Sequence, residues 1–453
     1  MDHHLFARDD WVGDVEIAMK PDRIVIVGVG VTGESCIHFW YGRAPVFVTD
    51  TRLPKDASVH NRVNELRAKY PEVRFISPAQ VAEIAGSDSF VYMSPGIPMH
   101  DEMFDVILAT GARLTSDIEL FMEQVDGAVI GITGTNGKST TTDLTAKMLQ
   151  PLGFKAGGNI GVPVLDLLSE EAPGFVLELS SFQLERMRPP QLTCATVLNI
   201  AEDHLDHHRT FAEYAATKRR IYERCELAVF NNNDPRTAPG TKKPGIAING
   251  SVSWCVRQHE IVIDGHQIPT SELQLLGSIN HYNIVAAAAL AHASGVAMSH
   301  VIEIAQNYQG LPHRLQTVAR IDNVHYVNDS KATNVAATLA AIEAFADEKP
   351  NIVLLAGGEG KDADFASLNE ALHDHVKTAV LFGKDAQKIA VVADAVTQVA
   401  QVDSLEQAVL RAREAAKPGD VILLSPACAS FDMFANFEHR GDSFTSIVQD
   451  MAA

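Results

Sequence analysis

The sequence predicts an α/β fold of three domains in series, on three observations. At 453 residues the chain is too long for a single core. A short β-branched run, a glycine turn and a helical pattern alternate along most of it, the rhythm of parallel α/β layers. Two strand-to-helix junctions are rich in glycine, Gly28-Val29-Gly30-Val31-Thr32-Gly33 and Gly134-Thr135-Asn136-Gly137-Lys138-Ser139-Thr140. The expected domains are 1–115, 116–310 and 311–453.

The first domain opens on a strand at Arg23–Val27, with a helix from about Glu34 after the glycines. Val46–Thr49 is the next strand, ending on Asp50, and Phe90–Met93 and Gly111–Leu114 follow. The second domain starts with Ala128–Thr133, which runs straight into the lysine-bearing loop. Its later strands are Phe175–Leu179, Ala195–Asn199 and Leu227–Phe230. Between Ile246 and Pro269, short alternating segments with turns at Gly250 and Asp264-Gly265 predict a small antiparallel meander added to that domain. Ile284–Met298 is apolar and alanine-rich but interrupted by His292 and Ser294, so it reads as a buried helix, too short and polar to span a bilayer. The third domain, after Gly310-Leu311-Pro312, carries strands at Val324–Val327, Ile352–Leu355, Ala379–Phe382 and Val421–Leu424.

Apolar residues make up 46% of the chain and charged residues 21%, an ordinary globular composition. A net charge of −20 disfavours nucleic acid or an anionic membrane as the main partner, because it repels phosphate. The five cysteines are scattered without a CxxC pair, which offers neither a zinc site nor a disulfide framework. Met1–Asp10 is polar and reads as no secretory signal. The expectation is a cytoplasmic monomer with no membrane insertion.

Lys138 sits at the start of a predicted helix behind two glycines. That places backbone N–H groups, a helix N-terminus and a point charge around an anion, with a Ser139 or Thr140 hydroxyl available to Mg²⁺. The strict P-loop has glycine five residues before Gly137, where this chain has Ile132, so the loop is a variant. Gly28, Gly30 and Gly33, with Asp50 at the end of the next strand, fit a dinucleotide fingerprint. The simple reading is NAD, although any nucleotide diphosphate meets the same physical description. Glu178 ends a strand, and Asn159 lies on a loop able to reach toward phosphates. Glu202-Asp203-His204-Leu205-Asp206-His207-His208 is either a solvated loop or, at a strand's carboxyl end, a carboxylate and imidazole site for Mg²⁺. Lys218, on an amphipathic helix with Phe211, Tyr214, Ile221 and Tyr222, reads by itself as a surface lysine.

These motifs belong to a longer series. It includes Ser94-Pro95-Gly96-Ile97, Asp117–Phe121, Gly157–Gly161, Leu177–Glu185, Gly310–Arg314, Asn328–Asn334 and Ser425–Asp432. In this order, over nearly the whole chain, they resemble the Mur ligases of peptidoglycan precursor synthesis, and within that family the glutamate-adding branch. The resemblance implies a Rossmann-like N-terminal domain that holds UDP rather than NAD. It further implies a P-loop-like central ATPase domain and a Rossmann-like C-terminal domain that binds the incoming amino acid.

Carried over position by position, Gly30, Val31, Thr32, Asp50, Thr51 and Arg52 bind the uridine diphosphate, with Ser94 and Gly96 nearby. Asn159 and His204 approach the muramoyl end of the substrate. ATP takes Gly134, Thr135, Asn136, Gly137, Lys138, Ser139 and Thr140, with further contacts from Asn280, Asn283, His313, Arg314, Asp329 and Lys331. Ser139, Glu178 and His204 shape the sites of two Mg²⁺ ions. Lys218 matches the family lysine that carries a CO₂-derived carbamate and so becomes an anionic magnesium ligand. Lys138, Glu178, His204 and Lys218 form the implied catalytic set, and Thr333, Lys361, Ser430, Phe431 and Phe437 the amino-acid pocket.

The implied reaction adds D-glutamate to UDP-N-acetylmuramoyl-L-alanine through an acyl phosphate, with sites on three domains that must close together. One word departs from the family's Gly-x-His-Asn: this chain has Gly277-Ser278-Ile279-Asn280, with a histidine only at His281. Two other readings compete. An NAD-dependent oxidoreductase leaves Lys138 and the third domain without a role. A non-catalytic UDP-sugar binder tolerates loss of Lys138, Glu178 and His204, yet the chain has all three.

Overall fold

The β-branched runs become strands because a parallel sheet covered on both faces excludes polar side chains from its centre. The computed structural model describes residues 21–53, 56–97, 101–201, 207–208, 210–347, 349–360 and 363–452. They divide into two units. The first takes the described residues up to Lys138 with Thr145–Gly250 and Ala289–Val296; the second takes Ser139–Leu144, Ser251–Ala288 and the chain from Ala297 onward.

The first unit holds two parallel sheets. One consists of β1 (Arg23–Val27), β2 (Val46–Thr49), β3 (Arg74–Phe75), β4 (Ser89–Met93) and β5 (Arg113–Thr115), in the order β3-β2-β1-β4-β5. The other consists of β6 (Ala128–Thr133), β7 (Lys155–Gly158), β8 (Gly174–Glu178), β9 (Gln191–Val197), β10 (Arg224–Asn231) and β11 (Gly245–Ile248), in the order β11-β10-β9-β6-β8-β7. One apolar core joins them, running from Ile24 and Trp40 through Ile118 and Phe121 to Leu177 and Ile221. Phe121 meets Phe175 edge-on at 5.1 Å between centroids.

In the second unit, β12 (Trp254–Val256), β13 (Glu260–Ile263) and β14 (His266–Pro269) form an antiparallel sheet. The larger sheet contains β15 (Gln316–Ile321), β16 (Val324–Asn328), β17 (Ile352–Gly357), β18 (Val376–Phe382), β19 (Gln398–Gln401) and β20 (Val421–Leu424). Its order is β15-β16-β20-β17-β18-β19, parallel apart from β15. Along β17, Leu354 packs into one apolar cluster while Val353 and Leu355 pack into another, so successive side chains serve opposite covered faces.

The structure corrects several sequence expectations. Gly111 is the left-handed cap of the helix Glu102–Thr110, not a strand residue. β9 begins at Gln191 and ends at Val197, because pairing with β10 starts at Gln191 opposite Arg224, ahead of the apolar run. The first piece of the expected meander, β11, joins the central sheet parallel to β10. Only β12–β14 are antiparallel, and they group with the second unit. The helix Ser278–Ala293 buries Ile284 through Ala291 as expected, but it ends before Met298, which opens the next helix.

Candidate functional site

In the first sheet β1 lies between β2 and β4, so the segments leaving these three strands meet at one carboxyl edge. The strand order reverses between β1 and β4, the kind of crevice in which α/β sheets bind ligands. Two glycines there have no room for a side chain. A Cβ on Gly28 would stand 2.5 Å from the Ser94 Cβ, and one on Gly33 would stand 2.0 Å from the Gly28 carbonyl oxygen. Gly30 instead has open space around it and is the N-cap of the helix Val31–Trp40, contributing no capping side chain. Val31 is exposed and Thr32 half-buried.

Asp50 is buried and committed to its neighbours. Oδ2 accepts from the Val29 amide at 3.2 Å and from Arg52 Nη2 at 3.0 Å, while Oδ1 accepts from Arg52 Nε at 2.9 Å. Burial acts to raise its pKa, and the bonds from Arg52 and Val29 outweigh that, holding the carboxyl below its ordinary range. Asp50 therefore aims an exposed Arg52 guanidinium; Thr51 is half-buried beside it. Ser94 is held by its carbonyl, which accepts from Arg186 Nη1, and Gly96 is exposed. Arg186 was not legible as a site residue, since an arginine late in a short helix carries no motif.

At the centre of the second sheet, β6 feeds the loop Gly134–Gly137. Gly137 caps the helix Lys138–Met148 at φ 82°, a backbone that favours glycine. Ile132, in the slot where the strict motif has glycine, is a buried strand residue paired with Glu178. Lys138 Nζ donates to the carbonyls of Gly134 and Thr135, each at 2.9 Å. Thr135 N donates to Asn199 O at 3.0 Å, and Asn136 N to Asn199 Oδ1 at 2.8 Å. Asn199 thus holds the loop, a role that its position at an expected strand end did not announce. Ser139 and Thr140, at the start of the helix, are buried.

Glu178 closes β8, next to β6, and is 2% exposed. Its Oε1 accepts from Asn159 Nδ2 at 2.7 Å, and its Oε2 is buried with no hydrogen-bond partner among the described residues. A carboxylate oxygen left so fits a hard cation. Lys218 is also 2% exposed, which overturns the surface-lysine reading. It lies on the helix Phe211–Arg219, and its Nζ donates to the Gly134 carbonyl at 2.9 Å. Ile221 and Tyr222 belong to a separate 3₁₀ turn, Arg220–Tyr222. His204, with the rest of 202–206, lies outside the described residues. The end of that run is packed, not solvated: His207 Nε2 lies 2.8 Å from Glu185 Oε2, and buried His208 stacks on Phe182.

In the second unit β20 lies between β16 and β17, which gathers the segments after these strands at another carboxyl edge. Asp329 is buried, its Oδ1 accepting from Leu315 N at 3.2 Å and its Oδ2 from Ser425 Oγ at 3.0 Å. Burial pushes its carboxyl up to about 7, against the pull of those bonds. Lys331 Nζ stands 3.9 Å from the centroid of Phe437, and burial and then Arg314 lower its pKa. His313, at φ 63°, is buried, with Nδ1 3.2 Å from Asn328 Nδ2, and Arg314 beside it is half-buried.

Thr333 is exposed, Ser430 buried and Phe431 63% exposed, while Lys361 lies outside the described residues. Asn280 and Asn283 are buried one turn apart on the helix Ser278–Ala293, with Asn283 Nδ2 3.3 Å from Asn280 Oδ1. Ile279 packs on the apolar cluster around Val327 and Leu354, so the departure from the family's histidine places a core contact there. Burial lowers His281 to about 4. Sequence reasoning missed Arg440. It is 0% exposed and donates to Ser330 Oγ (3.0 Å), Ser330 O (2.9 Å) and Cys428 O (3.1 Å), tying together the segments after β16 and β20.

Two parallel sheets each offering a phosphate-ready helix N-terminus, with a mostly parallel six-stranded sheet later in the chain that carries polar loops, define a class of multidomain nucleotide-using proteins. Comparison with known families agrees. The Mur ligase MurD-like N-terminal domain matches residues 22–116, the Mur ligase middle domain 132–291 and the Mur ligase glutamate ligase domain 313–428. The chain belongs to the Mur ligase family. A UDP-N-acetylmuramoylalanine–D-glutamate ligase of Marinobacter nauticus is 39% identical, covering 96% of this chain and 100% of the relative. The ligase of that name from Saccharophagus degradans is 39% identical, covering 95% and 98%. Among solved structures, a pseudomurein peptide ligase type C from Methanothermus fervidus has a similar fold, with a TM-score of 0.56 at 16% identity, covering 95% of this chain and 100% of that one. Among the described residues no helix is long and apolar enough to cross a membrane.

Proposed function

We propose that this chain adds D-glutamate to UDP-N-acetylmuramoyl-L-alanine, with ATP activating the alanine carboxylate as an acyl phosphate. The observation that carries the reading is the buried Glu178, one carboxylate oxygen of which has no partner among the described residues, at the same sheet edge as the Lys138 loop. A ligase needs such an edge to hold a nucleotide and its metal. Identity with ligases of that name over nearly the full length supports the choice of substrate.

Gly30, Val31 and Thr32 present a helix N-terminus to the diphosphate, and Arg52, aimed by Asp50, adds a cation. Thr51, Ser94 and Gly96 complete that edge, and Asn159 and His204 serve the muramoyl end. Gly134–Thr140 cradle the ATP phosphates, where Lys138 exchanges its loop carbonyls for phosphate oxygens. Bound Mg²⁺ supplies charge neutralisation for the transferring phosphoryl group, and Ser139, Glu178, His204 and a carbamate on Lys218 would hold it.

Asn280, Asn283, His313, Arg314, Asp329 and Lys331 are the further ATP contacts of this reading. Thr333, Lys361, Ser430, Phe431 and Phe437 take the glutamate, whose amine attacks the acyl phosphate and releases phosphate. The domain limits 1–115, 116–310 and 311–453, a monomeric state and a cytoplasmic setting belong to the same reading.

Phosphate release measured with Mg²⁺, ATP and bicarbonate tests it. The reading requires release that depends on both UDP-N-acetylmuramoyl-L-alanine and D-glutamate and is not supported by L-glutamate. No release under these conditions overturns the ligase reading, and release with the L-isomer alone overturns the choice of amino acid.

A further inference from the structure

We propose that Tyr214 is a positioning residue for the nucleotide loop, acting through the Thr135 hydroxyl. The inference rests on the reading of that loop as the nucleotide site and names a residue to which no motif points.

Tyr214 and Lys218 stand one turn apart on the helix Phe211–Arg219, so they share a face. Both reach the same loop. Lys218 Nζ donates to Gly134 O at 2.9 Å, and the Tyr214 hydroxyl lies 3.1 Å from Thr135 Oγ1. The Thr135 hydroxyl also accepts from Ala201 N at 3.0 Å and lies 3.3 Å from Ala201 O. One hydroxyl carries one proton and two lone pairs. It satisfies all three contacts in one way: it accepts from Ala201 N and from Tyr214, and donates to Ala201 O. That fixes Tyr214 as the donor.

The ring cannot swing away freely, because it is buried. Lys218 Nζ stands 4.6 Å from its centroid, and the His208 ring 5.1 Å away. Thr135 is therefore pinned between the segment leaving β9 and a rigid phenol. Its backbone sets where the loop's next N–H groups point, and those groups meet phosphate.

The test is direct binding of Mg–ADP by isothermal titration, without turnover, on the full chain. Tyr214→Phe keeps the ring and its contacts with Lys218 and His208 while removing the donor. Loss of one neutral hydrogen bond predicts binding weakened about three- to tenfold. In the phosphate-release assay the effect should fall on KM for ATP rather than on kcat. Thr135→Val should weaken binding at least as much, since it also removes both contacts with Ala201, Thr135→Ser should restore it, and Tyr214→Phe added to Thr135→Val should cost nothing further. Wild-type binding by Tyr214→Phe overturns the inference, as does an additive double variant. If the wild-type chain itself fails to bind Mg–ADP, the nucleotide reading falls first and the inference with it. Thermal melts establish that each variant is folded, and Thr135→Ser, which retains the hydroxyl, serves as the control.

Discussion

The side-chain amide of Asn159 donates to Oε1 of Glu178 at 2.7 Å, across the ends of the adjacent strands β7 and β8, while Oε2 stays buried with no partner among the described residues. One oxygen is anchored and the other presented. The Asn159 backbone N–H also donates to the Glu178 carbonyl at 2.9 Å, so the pair moves as a unit.

This arrangement separates two variants. Glu178→Gln should lower kcat by on the order of a hundredfold, the scale of losing one charge at a phosphoryl-transfer centre. Asn159→Ala should instead raise the half-saturating Mg²⁺ concentration roughly tenfold, as outer-shell changes do. Titration of activity against Mg²⁺ reads both, and an unchanged Mg²⁺ dependence in Asn159→Ala would remove Asn159 from metal positioning.

Lys218→Ala should lose most activity, at least roughly a hundredfold, because it removes the proposed anionic ligand. Formate or acetate should restore part of it by supplying a carboxylate in the vacated space. Full activity without rescue would eliminate the carbamate.

Asp329 gives a pH signature. Its folded pKa of about 7 lies above the ordinary carboxyl value of 3.8, so between these values the folded chain binds more protons than the unfolded one. Stability from this group therefore falls as pH rises from about 4 to 7 and levels off above that. Asp329→Asn abolishes the slope, so its stability relative to wild type should grow across that window. Denaturation of both chains at pH 5 and pH 8 checks this, and equal differences at the two values would count against the raised pKa.

Arg440→Met should lower the thermal midpoint of the second unit by on the order of 5–10 °C, since it leaves the Ser330 and Cys428 carbonyls without their buried donor. KM for glutamate should rise with it, because Ser430 and Thr333 lie on the segments that Arg440 joins. A scanning calorimetry trace and a glutamate titration are sufficient; an unmoved midpoint would show that the guanidinium is dispensable.

The strands that were legible are mostly the central ones. β1, β2, β6 and β20 were located to the residue because a strand covered on both faces must be apolar throughout. β3, β7, β15 and β19 were missed, and all four are edge strands. An edge strand pairs on one side and needs less apolar surface, so Lys155-Ala156-Gly157-Gly158 and Gln398-Val399-Ala400-Gln401 carry little signal. Among the proposed site residues, the glycines and Lys138 are the ones to which a motif points, because a phosphate-binding turn uses such residues at fixed spacing. Arg440, Asn199, Arg186 and Tyr214 were not, because each acts on a loop that is distant in sequence.

The sequence by itself determined the layered α/β class, the two glycine-rich junctions and, by resemblance, the family. These depend on local pattern: alternation of strand and helix, and residue types that backbone geometry permits. Only the tertiary structure decided what the charged residues face. Asp50 is used up on Val29 and Arg52, Glu178 keeps one oxygen without a partner among the described residues, and Lys218 is buried against the carbonyl of Gly134. Whether a carboxylate or an ammonium is a solvated surface group or a buried tool depends on burial and partners, and both are set by chain segments far away in the sequence.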